Sequence, residues 1–171
     1  MMKPNIRIGY GYDVHALKEG HDFWLGGIKI PHTHGAYGHS DADVLIHVIC
    51  DALLGAANLR DIGFHFPDTD EKYKGIDSKV LLGEVMTIIG GKGYGVVNID
   101  ATVCLQKPKI NPYIEEMQAC LAKTMDIPAS DISIKATTTE KLGFVGKEEG
   151  VAAHAVALVY FEESFPPRTF P

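Results

Sequence analysis

The residues most able to do chemistry are one aspartate and two histidines in two separate segments. Asp13 and His15 lie two positions apart in an extended run, residues 8–15 (IGYGYDVH). Side chains two apart on a strand point to the same face, so both can reach one point. His47 lies in a second segment, residues 38–47, which opens a helix. If they converge, these three side chains leave a fourth coordination position open, which is typical of a catalytic zinc site.

Spacing alone leaves a second interpretation open. A histidine is more often a satisfied surface or core residue than a ligand, and neither CxxC nor HExxH spacing is present here. Asp43, His47 and Asp51 form the one polar stripe of an otherwise apolar helix, and a buried polar stripe needs a partner. Asp51 is predicted to steady the His47 ring, with an exposed helix acid as the alternative.

The alternation of strand-like and helix-like runs predicts the elements that position these residues. Strands are predicted at 6–15, 96–106, 132–138 and 151–161, a hairpin at 23–25 and 28–30, and helices at 41–57, 78–89 and 111–125. Ser40 or Asp41 is predicted as the N-cap of the first helix. Residues 32–38 are predicted as a loop, and residues 58–70 as a mobile loop that closes over a ligand.

This order of elements predicts an α+β fold. We expect a single domain, residues 1–163, with a mostly antiparallel or mixed sheet and helices packed on one face. Residues 164–171 carry three prolines and are expected to form a loosely ordered tail.

Composition narrows the class of protein. The 171 residues carry a formal charge of −6, which argues against a nucleic-acid partner. No signal peptide is visible, and no run reaches the roughly 20 apolar residues of a membrane span. The three cysteines, Cys50, Cys104 and Cys120, contain no CxxC pair, so we expect buried, reduced thiols. These features together predict a cytoplasmic protein without a membrane partner.

Two further segments could bind phosphate. Residues 135–144 (KATTTEKLGF) follow a strand, so hydroxyls and backbone amides could hold phosphate oxygens while Glu140 holds a hard cation such as Mg²⁺. The alternative is a threonine-rich strand end with a solvated glutamate. Residues 106–109 (QKPK) could fix a base or a phosphate, or form an ordinary basic turn. Neither segment matches a P-loop, and residues 9–11 (GYG) lack the third glycine of a dinucleotide fingerprint.

Taken together, these segments resemble the 2-C-methyl-D-erythritol 2,4-cyclodiphosphate synthase family. The resemblance rests on residues 7–17 (RIGYGYDVHAL), 38–54 (GHSDADVLIHVICDALL), 61–70 with its DIG and FPDTD elements, and 135–146 (KATTTEKLGFVG). It implies a phosphorus–oxygen lyase of non-mevalonate isoprenoid biosynthesis. The implied reaction converts 4-diphosphocytidyl-2-C-methyl-D-erythritol 2-phosphate to the 2,4-cyclodiphosphate and releases CMP. The implied assembly is a homotrimer, built around the sheets, with active sites between subunits.

The resemblance also implies roles for particular residues. Asp13, His15 and His47 fall on the family's zinc ligands, and Glu140 falls on its Mg²⁺ or Mn²⁺ ligand. The implied catalytic residues are His39, Asp61 and Thr138. The implied substrate-binding residues are Ser40, Asp61, Gly63, Phe66, Asp68, Pro108, Lys109, Ile110, Thr137, Thr138, Thr139, Phe144 and Lys147.

Lys147 departs from part of the family pattern. It stands where some members carry an arginine, in a cavity along the trimer axis near Phe144 and Glu149. The family resemblance associates that cavity with an isoprenoid diphosphate. Lysine lacks the bidentate fork of arginine, which argues against tight diphosphate binding there.

Two rival functions remain open from the sequence. A zinc hydrolase would use the same three ligands on a phosphoester or diphosphate, and its products would contain an added water. A non-catalytic binding module would keep zinc as a structural clamp, and a fourth protein ligand from Asp43 or His39 would support it.

Overall fold

The computed structural model describes residues 5–161, so the predicted tail at 164–171 lies outside the described residues. The strands are β1 (Ile6–Glu19), β2 (Phe23–Leu25), β3 (Ile28–Ile30), β4 (His34–Tyr37), β5 (Tyr94–Cys104), β6 (Ile132–Thr137) and β7 (Gly150–Phe161). The helices are α1 (Val44–Ala56), α2 (Ile62–His65), α3 (Ser78–Gly91), α4 (Ile114–Met125) and α5 (Gly143–Gly146). Short 3-10 turns lie at Glu71–Tyr73, Asn111–Tyr113 and Ala129–Asp131.

The fold is the predicted α+β domain. Five strands form one sheet in the order β4-β1-β7-β5-β6, and β2 pairs with β3 in a separate hairpin. The pairing of β5 with β6 is parallel, and the other pairings are antiparallel, so the sheet is mixed. The apolar residues of α1 are buried, as expected for a helix that lies between the sheet and the other helices.

Two glycines in β1 allow α1 to lie directly on the sheet. A Cβ at Gly9 would stand 1.9 Å from the carbonyl oxygen of Ala52, and one at Gly11 would stand 2.1 Å from that of Val48. Since alternate residues share a face, Asp13 and His15 point toward the same helix. This is how the sequence brings the β1 pair to the helix that carries the second histidine.

The opposite face of the sheet, called the open face below, carries apolar side chains in contact with solvent. Ile8, Tyr10, Tyr12 and Val14 project from β1 on this face and are all exposed. On the neighbouring strand, the His154 ring lies beside the two tyrosines, and its Nδ1 is 2.8 Å from the Tyr10 hydroxyl. Among the described residues, no helix has the length and apolar character needed to cross a membrane.

The structure corrects two local predictions near the first helix. Residues 32–38 are not all loop, because β1 continues to Glu19 and its extension pairs with β4. The N-cap of α1 is Asp43 rather than Ser40 or Asp41, and its carboxylate accepts a hydrogen bond from the Ile46 amide at 3.0 Å. The reason is long-range, since the Asp41 carboxylate is bound to the start of α3 instead.

The segment 58–70, predicted as a loop, is not irregular throughout. It contains α2, whose first amide is held by a carboxylate from α1. The ring Nε2 of His65 donates to the Leu59 carbonyl oxygen at 2.8 Å. This hydrogen bond links the end of α2 to the start of the segment. Of the cysteines, Cys50 is buried as predicted, while Cys104 and Cys120 are partly exposed; all three are free thiols.

Candidate metal centre and substrate cavity

Three side chains from β1 and α1 converge as the sequence predicts. The Asp13 Oδ2 atom lies 3.1 Å from His15 Nε2 and 3.0 Å from His47 Nδ1. The two ring nitrogens are 3.0 Å apart. One ligand atom from each residue therefore faces a common point, and the three atoms all lie within 4.8 Å of one another.

This donor set fits a zinc ion. Two imidazole nitrogens and one carboxylate oxygen are the ligands of a catalytic zinc site, which keeps one coordination position open. Bonds of about 2.0 Å to a common tetrahedral ion place neighbouring donor atoms roughly 3.3 Å apart, close to the separations seen here. Two ring nitrogens at 3.0 Å need either a shared proton or a cation between them, because their lone pairs otherwise repel.

The electrostatics of the cluster couple Asp13 to His47. Burial alone would raise the pKa of Asp13, but hydrogen bonds and charges from His15 and His47 outweigh it and hold that pKa far below the ordinary range. Burial alone would lower the pKa of His47, yet the Asp13 carboxylate, with the charges of Asp43 and Asp41, raises it above its ordinary value. The pocket thus favours a cation beside the Asp13 oxygen.

The second ring nitrogen of His47 contacts two serines. Its Nε2 lies 3.1 Å from the Ser40 Oγ and 3.1 Å from the Ser78 Oγ. Ser78 is fully buried, and its hydroxyl donates to the Asp41 carboxylate at 2.5 Å. These contacts orient the imidazole so that Nδ1 faces the other two ligands.

Asp51 makes a different hydrogen bond from the one predicted for it. It lies on α1 one turn beyond His47, but its Oδ1 accepts a hydrogen bond from the Ile62 amide at 2.8 Å. Burial raises its pKa, partly offset by that amide. Asp51 therefore holds the first turn of α2, and the hydrogen-bond partners of the His47 ring are serines.

Asp43 is likewise committed elsewhere. Its carboxylate accepts from the amides of Gly26 and Gly27 at 2.9 and 2.6 Å, in addition to Ile46. It is fully buried between the hairpin turn and the start of α1. These contacts assign Asp43 to the helix cap and the hairpin turn.

A cavity of about 380 Å³ opens beside the three candidate ligands. Among the predicted catalytic and substrate-binding residues, the structure brings five to its wall, namely His39, Ser40, Gly63, Phe66 and Asp68. Asp61 adjoins them, because its Oδ2 would stand 3.2 Å from a Cβ at Gly63. The rest of the wall includes an apolar patch formed by Ile62, Tyr73, Ile76 and Leu81.

The remaining predicted residues lie elsewhere in the chain. Thr137 aligns with Cys104, Ala152 and Val14 across the sheet, so it lies level with the ligands but three strand spacings away, about 14 Å. On β6, Thr137 and Lys135 project from one face of the sheet and Ala136 from the other. The ammonium of Lys135 pairs with Asp100. Thr137 therefore points to the open face, whereas Asp13 and His15 point to the helices.

Glu140 follows β6 in a left-handed turn, with its Oε1 accepting from the Thr138 hydroxyl at 3.0 Å. Thr139 and Phe144 line a second cavity of about 450 Å³ on the open face, together with Tyr10 and His154. Other predicted residues lie at the ends of short elements: Pro108, Lys109 and Ile110 between β5 and α4, and Lys147 directly after α5. None of these residues is part of the wall of the first cavity.

The sequence does not indicate several residues of the site. Ser78 is predicted only as a helix start, because its contact with His47 spans 31 positions and has no local signal. The apolar wall residues Tyr73, Ile76 and Leu81 fall in a turn and a helix without a distinctive pattern. Only their packing around the cavity reveals them.

Comparisons with known proteins agree with this geometry. A family model described as the YgbB family matches residues 6–160. A Cytophaga hutchinsonii protein named 2-C-methyl-D-erythritol 2,4-cyclodiphosphate synthase is 64% identical over 154 residues, which are 90% of this chain and 97% of that protein. A Porphyromonas gingivalis protein of the same name is 60% identical over 158 residues, covering 92% and 98% of the two chains.

Solved structures show the same fold. A 2C-methyl-D-erythritol-2,4-cyclodiphosphate synthase described as a bound form with CDP has a TM-score of 0.83 and 38% identity, covering 90% of this chain and 99% of that one. The bifunctional IspDF of Campylobacter jejuni has a TM-score of 0.89 and 42% identity over 92% of this chain. This chain spans 42% of that longer protein.

Proposed function

The chain belongs to the YgbB family, and from this premise we propose how its residues carry out the family's reaction. That reaction converts 4-diphosphocytidyl-2-C-methyl-D-erythritol 2-phosphate to 2-C-methyl-D-erythritol 2,4-cyclodiphosphate with release of CMP. The substrate's 2-phosphate attacks the β-phosphorus of its own diphosphate, the new P–O bond closes the ring, and the bond to CMP breaks. The reaction is therefore an intramolecular substitution at phosphorus that releases CMP without adding water, and enzymes of this kind are classed as phosphorus–oxygen lyases.

The chemistry asks the protein mainly to bring anions together and hold them in line. The nucleophile is already a phosphate anion, so no side chain must act as a strong base. Asp13, His15 and His47 would hold zinc, and bound zinc supplies a positive charge that binds and polarises the β-phosphate. Glu140 would hold Mg²⁺ or Mn²⁺, which supplies charge neutralisation at the α- and β-phosphates. The observation that carries this proposal is the convergence of the three ligand atoms beside the cavity.

The cavity wall would position the rest of the substrate. His39 and Ser40 lie beside the candidate ligands and would hold the 2-phosphate region, with the Ser40 hydroxyl as donor. Asp61 would accept a hydrogen bond from a methylerythritol hydroxyl, and Gly63, Phe66 and Asp68 would enclose the sugar. Exclusion of water by this wall matters because water competes with the 2-phosphate as nucleophile.

The predicted substrate-binding residues that lie outside the first cavity favour an active site shared between subunits. We propose that Thr137, Thr138 and Thr139 contact the diphosphate, and that Pro108, Lys109 and Ile110 frame the cytidine, from a neighbouring subunit. Within one chain, Thr137 faces the open face and lies about 14 Å along the sheet from the candidate zinc ligands.

The open face would form the subunit contact in a homotrimer. Its exposed row of Ile8, Tyr10, Tyr12 and Val14 is the kind of apolar surface that marks an interface. Phe144 and Lys147 would then lie near the trimer axis, beside the second cavity. Light scattering of the purified chain should give the mass of a trimer, and Ile8→Glu should give a smaller species.

The test of the reaction is phosphorus NMR of the purified protein with the cytidyl substrate and Mg²⁺. We expect the coupled signals of a cyclic diphosphate together with CMP, and their loss in Asp13→Asn together with loss of bound zinc. Conversion to acyclic phosphates, with water added, would instead identify a zinc hydrolase. Bound zinc without turnover, in protein of trimer mass, would support a binding module. The cytoplasmic location suggested by the cysteines remains a prediction.

A further inference from the structure

The contacts behind His47 form a chain of hydrogen bonds that leads away from the candidate metal. The His47 Nε2 lies 3.1 Å from the Ser78 Oγ, and the Ser78 hydroxyl donates to Asp41 Oδ1 at 2.5 Å. We propose that Ser78, with Asp41 behind it, is a positioning residue that holds His47 in the one tautomer able to bind a metal through Nδ1. This inference rests on the proposed metal-dependent function.

The direction of each hydrogen bond follows from counting protons. A carboxylate has no proton to give, so the Ser78 hydroxyl must donate its single proton to Asp41. Toward His47, the same hydroxyl oxygen can then only accept. The ring must donate from Nε2, and a neutral imidazole with its proton on Nε2 has its lone pair on Nδ1. That nitrogen faces Asp13 and His15 at 3.0 Å.

Asp41 is itself fixed in place, which makes the chain rigid. Its Oδ2 accepts from the Ser78 amide at 3.0 Å, and its Oδ1 also accepts from the Asp43 amide at 3.2 Å. Its own amide donates to the Ile76 carbonyl oxygen at 3.1 Å. Because these amides open α3 and precede α1, Asp41 ties together the starts of the two helices that flank the ring.

Ser40 contacts the same ring nitrogen but has a different position. Its Oγ accepts from the Ala42 amide at 3.1 Å and lies 3.1 Å from His47 Nε2. It lines the first cavity, whereas Ser78 is fully buried. The Ser40 hydroxyl can therefore donate to a ligand, while the Ser78 hydroxyl gives its proton to Asp41 and does not reach the cavity.

The experiment measures zinc affinity of the full chain, stripped of metal and titrated with Zn²⁺ against a competing chelator. We expect Ser78→Ala to weaken zinc binding by about 10–100-fold, the usual effect of losing a partner of a metal-bound histidine. Ser130→Ala, which removes the same atom from an exposed turn, should leave zinc affinity unchanged. Asp41→Asn should weaken binding in the same direction as Ser78→Ala.

A double variant tests whether Ser78 and Asp41 act through one chain of hydrogen bonds or affect zinc binding independently. If the residues act through one another, Ser78→Ala with Asp41→Asn should bind zinc no more weakly than Ser78→Ala alone. In the zinc-loaded protein, the His47 Nε2–H proton should be visible by NMR and protected from exchange. Ser78→Ala should accelerate that exchange. If Ser78→Ala fails to fold, Asp41→Asn carries both measurements.

Unchanged zinc affinity in Ser78→Ala, or losses that add in the double variant, would overturn the inference. These outcomes are distinct from failure of the proposed function. Wild-type protein that makes the cyclic diphosphate while Ser78→Ala binds zinc normally retains the function and removes the inference. If the wild-type protein fails to cyclise the substrate while Ser78→Ala still loses zinc affinity, the proposed function is wrong and the inference stands.

Discussion

Gly11 on β1 lies directly beneath Val48 on α1, so that a Cβ on the glycine would stand 2.1 Å from the valine carbonyl oxygen. A strand and a helix can approach this closely only where the strand lacks a side chain. The contact sets the spacing between the two elements that carry the candidate metal ligands. Asp13 follows Gly11 by two positions, and His47 precedes Val48 by one.

We therefore expect Gly11→Ala to move α1 away from β1 and to weaken both stability and zinc binding. Overpacking of this kind costs roughly 1–3 kcal/mol of the free energy of unfolding, and occasionally more. Chemical denaturation and zinc titration would measure the two effects. Gly55→Ala is the matched control, in the helix α1 that Gly11 contacts, because a Cβ there would meet nothing within 4 Å. That control should be neutral or stabilising by about 0.5–1 kcal/mol.

Asp43 is predicted to be a major determinant of stability. Asp43→Ala removes the cap of α1 and leaves the amides of Gly26 and Gly27 without their acceptor in a fully buried place. Loss of a cap costs about 1 kcal/mol, and each buried unsatisfied donor adds about 1–3 kcal/mol. Urea denaturation should show a loss of about 3–7 kcal/mol on these terms.

Asp77→Ala provides the comparison for a simple cap. Asp77 accepts from the Lys79 amide at 2.8 Å at the start of α3 but is more exposed than Asp43. Its removal should cost about 1 kcal/mol. Equal losses in the two variants would show that Asp43 acts as a helix cap alone.

Zinc should stabilise the protein more strongly as the pH rises. In the metal-free protein, Asp13 raises the pKa of His47, so their pairing contributes stability below the ordinary histidine pKa and is lost as pH rises through the raised value. Zinc must displace the same proton. The increase in melting temperature caused by zinc should therefore grow as the pH rises above the ordinary histidine pKa of about 6.5. His47→Gln should remove this pH dependence, and a zinc effect that shrinks with pH would contradict the assignment.

Asp51 should affect substrate binding rather than zinc binding. Its carboxylate holds the first amide of α2, which carries part of the cavity wall. Asp51→Ala should raise KM for the cytidyl substrate with little change in zinc affinity. Asp51→Asn keeps one acceptor oxygen, so its KM should lie between those of the wild type and Asp51→Ala. Weaker zinc binding in Asp51→Asn would instead support the role first predicted from helix spacing.

Local patterns in the sequence were sufficient to predict the main elements and the three candidate ligands. The period-two spacing of Asp13 and His15, and the helical period around His47, depend only on backbone geometry within each element. The predicted segments of the family resemblance also lie along the chain, and the family model that matches residues 6–160 confirms them. These features need no knowledge of which elements become neighbours.

The tertiary structure decided how the remaining polar groups are used. Asp41, Asp43 and Asp51 look alike in sequence, yet they hold the start of α3, a hairpin turn and the start of α2. Each choice depends on a backbone amide 11 to 37 positions away. A buried amide or carboxylate must find a partner, and the partner is fixed only when the helices are packed on the sheet. For the same reason, the link between Ser78 and His47 is visible in the folded chain and has no signature in the sequence.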